Sequence, residues 1–133
     1  MPTDYRKEFD LDLTYGQAGE EWLRLLPGGS KIEVKTERHY WTKTGNVFFE
    51  YEYRGSPSGL AVTTADWWCH ILQRGDMRVL AYIWNVPLLK TSLKQMYRDG
   101  KAIRTVGGDY NMSVGLLVPI KELHLITSPE DRL

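Results

Sequence analysis

The chain reads as one α/β (α+β) domain, a small mixed sheet flanked by helices. Three observations predict it. Apolar residues repeat with period 2 in some stretches and with the helical period in others, in the order helix, strand, strand, helix, strand, helix, strand. At 133 residues the chain can bury one core but not two. Hydrophobic residues make up 42% and charged residues 26%, the balance of an ordinary soluble protein. Five Trp and eight Tyr are many for this length and help to fill a small core.

Residues 1–9 are polar and read as an arm. Phe9-Asp10-Leu11-Asp12-Leu13 alternates as a short extended segment does, and Tyr15-Gly16 breaks it. A helix follows over about 17–26. Trp22, Leu23, Leu25 and Leu26 form its apolar side, and Glu20 and Glu21 lie in its first turns, where negative charge suits the helix dipole. Pro27-Gly28-Gly29 ends it. The next stretch, Lys31-Ile32-Glu33-Val34-Lys35-Thr36-Glu37, is a strand. Alternation sets Ile32 and Val34 on one face, toward a core, and Glu33, Lys35 and Glu37 on the other.

A loop over 38–46 carries Trp41, Lys43 and the turn pair Gly45-Asn46. The strand over 47–53 places Val47, Phe49, Tyr51 and Tyr53 on one face and Phe48, Glu50 and Glu52 on the other. These two strands are close enough in sequence to pair as an antiparallel hairpin. Acids from both would then meet on one face, with the register open between Glu50 and Glu52. After a turn-rich loop over 54–60, Thr63 or Thr64 is placed to cap a helix running to about Gln73. Residues 77–84 read as a buried strand. Pro87 fits the first turn of a third helix that ends near Asp99-Gly100. On that helix Lys90, Lys94 and Arg98 recur every four residues as a basic stripe, and Leu89, Leu93, Met96 and Tyr97 supply the packing side. Residues 106–113 read as a loop and 114–118 as a last apolar strand. A short segment then ends around Leu125, before a frayed tail.

Composition excludes several functions. Seventeen basic and 17 acidic residues give zero formal net charge, so any surface for nucleic acid has to be local. The single cysteine, Cys69, rules out an internal disulfide and permits a reducing compartment. No apolar run approaches the roughly 18 residues of a membrane helix. The charged N-terminus lacks the apolar core of a signal peptide. The expectation is a soluble, intracellular (cytoplasmic) protein with no membrane partner. His39, His70 and His124 are scattered and, with one Cys, give no zinc spacing. Cys69 sits in an apolar run and reads as core rather than nucleophile. Ser58 lacks the nucleophile-elbow pattern.

The strand at 31–37 carries the chemistry. Glu33 and Lys35, two apart, point the same way. A carboxylate holds a hard divalent cation through oxygen, and an ammonium beside it steadies a water or a phosphoryl oxygen. Metal-assisted phosphodiester hydrolysis needs that pairing.

Several runs carry a likeness to a known family. They are Gly19-Glu20, Ile32-Glu33-Val34-Lys35-Thr36-Glu37, Thr44-Gly45-Asn46-Val47 with Glu50-Tyr51-Glu52, Ser58-Gly59-Leu60, and Thr63-Thr64-Ala65-Asp66-Trp67-Trp68. Together, over roughly residues 9–85, they resemble small phage-type nucleases of the PD-(D/E)XK superfamily. The tail Gly107-Gly108-Asp109-Tyr110-Asn111 is similar to the same group. The resemblance implies a restriction-endonuclease-like core and cleavage of DNA phosphodiester bonds with Mg²⁺, or Mn²⁺ in its place. It also implies an acid on one strand, an acid-x-Lys on the next and a Glu on the first helix. Here the acid-x-Lys is Glu33-Val34-Lys35, but no Pro-Asp precedes it. Either Glu33 is the first acid, completed by Glu50 or Glu52, or Asp10 or Asp12 supplies the missing one; the hairpin favours the former. Glu33 with Glu50 or Glu52 would then hold the metal. Lys35 would position the attacking water, and Glu20, or Glu21 in its place, would orient a metal-bound water. Lys43, Arg54 and the Lys90, Lys94 and Arg98 stripe would contact DNA phosphates. Trp41 would stack on a base or pack over its own hairpin. Cutting both strands would suit a homodimer. The alternative is a non-catalytic nucleic-acid- or protein-binding module on the same fold, whose acids only form surface pairs.

Overall fold

The computed structural model of the chain describes residues 30–126, and residues 31–126 belong to one compact unit. The expected helix at 17–26, and with it Asp10, Asp12, Glu20 and Glu21, lies outside the described residues. The described elements run β1 (Ile32–Glu37), α1 (Trp41–Thr44), β2 (Asn46–Tyr53), β3 (Ser56–Pro57), a 3-10 turn (Gly59–Ala61), β4 (Trp67–Arg74) and β5 (Met77–Asn85). There follow α2 (Val86–Arg98), β6 (Ile103–Gly107), a second 3-10 turn (Asp109–Asn111), β7 (Ser113–Pro119) and α3 (Ile120–Leu123). The class is mixed α+β, but the strands form two sheets rather than one. One sheet has the order β1-β4-β5 and the other β3-β2-β7-β6. Among the described residues, no helix is long and apolar enough to cross a membrane.

The expected hairpin of β1 with β2 does not form. β1 pairs in parallel with β4, in register Glu33 to Trp68 and Lys35 to His70, and β2 pairs antiparallel with β3 and β7 in the other sheet. A sequence gap of only eight residues permits a hairpin but does not compel one. Here the aromatic edge of β4 gives β1 a better partner. The Asp66 carboxylate secures it by accepting from the Lys31 backbone N–H at 2.9 Å.

The expected helix at 63–73 is also replaced, by β4. Trp68, His70 and Leu72 are exposed by 1%, 1% and 0%, while Trp67, Cys69 and Ile71 between them are half-buried, which is the period of a strand. A short run of Trp, Cys, Ile and Leu has no helical periodicity to defend, and pairing on both edges decides its state. Thr63 Oγ1 accepts from Ala65 N–H at 3.2 Å, closing a local turn rather than capping a helix. Residues 103–107, partly assigned to a loop from sequence, form β6 against β7.

The two sheets pack through their aromatic faces. The Phe49 ring of β2 lies 4.7 Å from His70, 6.1 Å from Trp84 and 6.5 Å from Trp68. α2 closes the same core with Leu89, Leu93 and Met96. Pro87 and Asp99-Gly100 stand at its ends as the sequence predicts, and the structure adds a cap at Asn85. Asn85 Oδ1 accepts from Leu88 N–H at 3.1 Å, Pro87 lies in the first turn, and the chain leaves the helix through Asp99-Gly100.

Candidate active site

On β1 the face expected to meet the core is the outer one. Ile32 and Val34 are 48% and 54% exposed, while Glu33 and Glu37 are half-buried on the side of the core aromatics. A carboxylate turned inward loses hydration, so it needs hydrogen-bond donors. Glu37 has them: its Oε1 accepts from the Phe48 backbone N–H at 2.7 Å and from His70 Nε2–H at 3.2 Å.

The tautomer of His70 follows from its other neighbour. Trp68 Nε1–H can only donate, and it reaches His70 Nδ1 at 3.1 Å. Nδ1 must therefore carry the lone pair and Nε2 the proton. The His70–Glu37 contact is a hydrogen bond from a neutral ring, not an ion pair. Indole, imidazole and carboxylate form a directed chain through the core, with the Glu37 carboxylate at its outer end. Glu37 Oε2 makes no hydrogen bond among the described residues.

Glu50 reaches the same place from the second sheet. Its Oε1 accepts from Ser113 Oγ–H at 2.6 Å, and its Oε2 from Ser58 Oγ–H at 3.0 Å. Two glycines let the backbone close around it. Gly115 stands opposite Glu50 across the β2–β7 ladder, where a Cβ would run into the Phe49 carbonyl and come within 2.7 Å of the Phe48 ring. At Gly59, with φ +49°, a Cβ would run into the Glu50 carbonyl, so a side chain is barred there by both space and conformation. This close approach lets the turn and β7 present their serine hydroxyls to one carboxylate.

Glu37 and Glu50 line a single open cavity of about 320 Å³, together with Lys35, His70 and Ser113. Lys35 also lines a neighbouring cavity of about 470 Å³ with Glu33 and the 62–65 segment. Its Nζ lies 3.1 Å from Glu33 Oε1 and 5.9 Å from the centre of the Trp68 ring. Lys35 and Glu50 thus line one cavity, though not through the expected hairpin, while Glu33 lines the adjoining cavity and Glu37 lines that of Glu50. Glu52 does not line the Glu50 cavity. A bulge between Glu50 and Glu52 breaks the alternation that would have put both on one face.

No group of three or more His, Cys, Asp or Glu side chains among the described residues is arranged to hold a metal ion. Two carboxylates, Glu37 and Glu50, line the one cavity, and Mg²⁺ is an ion that binds through one or two carboxylates and keeps several of its waters. Both carboxylates are already oriented by outer hydrogen bonds, as metal-ligating carboxylates are.

The remaining expected contacts disperse. Lys43 is exposed on α1. Arg54 Nε donates to Met112 Sδ at 3.1 Å, with its guanidinium over Tyr53. Trp41 packs against the core and donates from Nε1 to the Gln73 carbonyl at 2.7 Å, so its ring holds α1 to the end of β4. Lys90 and Lys94 line a third cavity, and Arg98 is exposed in the last turn of α2. Sequence reasoning missed Glu37, His70 and Ser113 as site residues. Glu37 was within reach, two residues beyond Lys35 on the same face. His70 was hidden by reading its strand as a helix. Ser113 is tied to Glu50 only through the β2–β7 pairing.

Comparison with known protein families, characterised proteins and solved structures finds no match to this chain.

Proposed function

We propose that the chain is a metal-dependent DNA endonuclease of the PD-(D/E)XK type, built on a restriction-endonuclease-like core and acting inside the cell. The observation that supports this reading is the meeting of Glu37, Glu50 and Lys35 at one open cavity. Glu37 and Glu50 would hold Mg²⁺ or Mn²⁺. When bound, such an ion polarises the phosphate and lowers the pKa of a coordinated water. Lys35 positions the attacking water or balances charge on the phosphoryl oxygens. Its pairing with Glu33 is half-exposed, so exchanging that partner for a phosphate costs little. His70 fixes the orientation of Glu37, and Ser58 and Ser113 fix that of Glu50. A homodimer would relate two such sites by symmetry and cut both strands. The zero net charge and the Glu33–Lys35 pair favour a second reading, a non-catalytic nucleic-acid- or protein-binding module.

Plasmid nicking separates the two. Purified protein in millimolar Mg²⁺ should convert supercoiled DNA to the nicked form, and EDTA should stop it. Glu37→Gln, Glu50→Gln and Lys35→Ala should each lower the rate at least about a hundredfold. Mg²⁺ should raise the melting temperature of the wild type by mass action, and not that of the doubly substituted Glu37→Gln/Glu50→Gln protein. Wild-type rates in both carboxylate variants would refute the site. A wild type inert on duplex and single strand alike, in Mg²⁺ and Mn²⁺, would refute the nuclease and leave the binding module.

A further inference from the structure

A third cavity, of about 490 Å³, opens between β2, the 59–61 turn, β7 and α2. Its walls are Leu60, Leu93 and Leu116 with the rings of Tyr51 and Tyr97, and Lys90 and Lys94 stand at it from α2. The volume lies in the range of small-ligand sites, whose lining is apolar with a few placed polar groups. Tyr97 is 52% exposed and Tyr51 half-buried, so two aromatic side chains are accessible at the cavity. The two lysines lie one turn apart on the same side of the helix. Neither is paired with a carboxylate among the described residues. Apolar walls, two phenol rings and two uncompensated ammonium groups together match a ligand that is flat at one end and anionic at the other.

We propose that this cavity accepts one unpaired nucleotide of a DNA strand, its base against Tyr51 and Tyr97 and its phosphates on Lys90 and Lys94. Tyr51 is the extra residue of the bulge in β2 and follows Glu50 directly in the chain. Bulges re-aim side chains in this way. The turn that holds Glu50 through Ser58 Oγ also fixes Tyr51, whose carbonyl accepts from Ser58 N–H at 3.0 Å, and it supplies Leu60 to the cavity wall. One strand and one turn thus serve both the acidic cavity and the aromatic one. The inference rests on the reading that the substrate is DNA, and it narrows that substrate to DNA with an unpaired base. It does not depend on cleavage.

The test is equilibrium binding in EDTA, where no metal chemistry runs. The probes are a fully paired hairpin duplex and the same duplex with one unpaired 2-aminopurine nucleotide. The wild type should bind the second at least roughly tenfold more tightly, with quenching of the 2-aminopurine by stacking. Tyr97→Ala, at an exposed position, should remove most of the preference and the quenching while leaving the melting temperature unchanged. Lys90→Gln/Lys94→Gln should weaken binding and flatten its salt dependence by up to about 0.9 log units per lost contact. Equal affinity for the two duplexes, or an undiminished preference in Tyr97→Ala, would overturn the proposal. So would free deoxynucleotide monophosphate competing at the same concentration as the oligonucleotide, which would make the ligand a small molecule rather than a strand. If nicking fails but the preference for the unpaired base holds, the nuclease reading falls and this one stands; the reverse result overturns only this one.

Discussion

Replacing His70 with Leu tests the indole–imidazole–carboxylate chain directly. His70 is 1% exposed, and its ring makes two hydrogen bonds, to Trp68 Nε1–H at 3.1 Å and to Glu37 Oε1 at 3.2 Å. Leucine has a similar volume, so packing on Phe49 is largely kept. A hydrogen bond to a charged group is worth about 1.5–3 kcal/mol, and a buried donor left unsatisfied costs about 1–3 kcal/mol. Glu37 retains the Phe48 N–H and partial access to water, and leucine adds some apolar burial. The net loss should therefore be about 2–4 kcal/mol, or a fall in melting temperature on the order of 10 °C for a chain of this size. Trp68→Phe removes the indole donor. In the doubly substituted protein no donor is orphaned, so its loss should fall short of the sum of the single losses by about 1–2 kcal/mol. Urea unfolding followed by far-UV circular dichroism measures all four proteins without relying on tryptophan fluorescence. A His70→Leu protein within about 0.5 kcal/mol of wild type, or additive losses in the cycle, would refute the assigned chain and its tautomer.

Two further outcomes follow from the packing and titration of the same sheets. Gly115→Ala should destabilise by about 3 kcal/mol or more, because its methyl collides with the Phe49 carbonyl across the ladder; an unchanged urea midpoint would contradict the β2–β7 register. Burial pushes the Cys69 thiol up from 9.0 and the Tyr82 phenol up from 10.0. Above pH 9 the unfolded chain thus loses protons first, and stability should fall as pH rises through 9.0 and beyond. The urea midpoint should drop over that range, less steeply in Cys69→Ala, and a midpoint that climbs would refute the direction.

How far the sequence carried can be judged element by element. The strands at 47–53, 77–84 and 114–118 and the helix from Pro87 to Asp99 were legible. Their strand or helix state is written in local composition and periodicity, and Pro87 and Asp99-Gly100 mark the helix ends with backbone chemistry that needs no distant partner. The burial expected for 77–84 does not follow: Met77, Val79, Leu80 and Ile83 are exposed and only Trp84 of that strand is buried, because β5 is the edge of its sheet. Lys35 and Glu50 were legible as chemical groups for the same reason, as charges at period 2 beside apolar residues.

Choices that rest on distant contacts were not legible. Whether residues 67–72 became strand or helix depended on having β1 and β5 at both edges. Which face of β1 turned inward depended on donors far along the chain. Ile32 and Val34 claim the core by hydrophobicity alone, yet Glu37 is the side chain that meets His70 Nε2–H and Phe48 N–H. The partner of Glu50 in the acidic cavity is Glu37 rather than Glu33 for the same reason: alternation sets both on one face, and only the packing of the two sheets decides which of them Glu50 meets. A strand's own sequence determines its two faces, because side chains alternate. The choice of which face is buried belongs to the tertiary structure, because the cost of burying a carboxylate is set by the hydrogen bonds waiting for it.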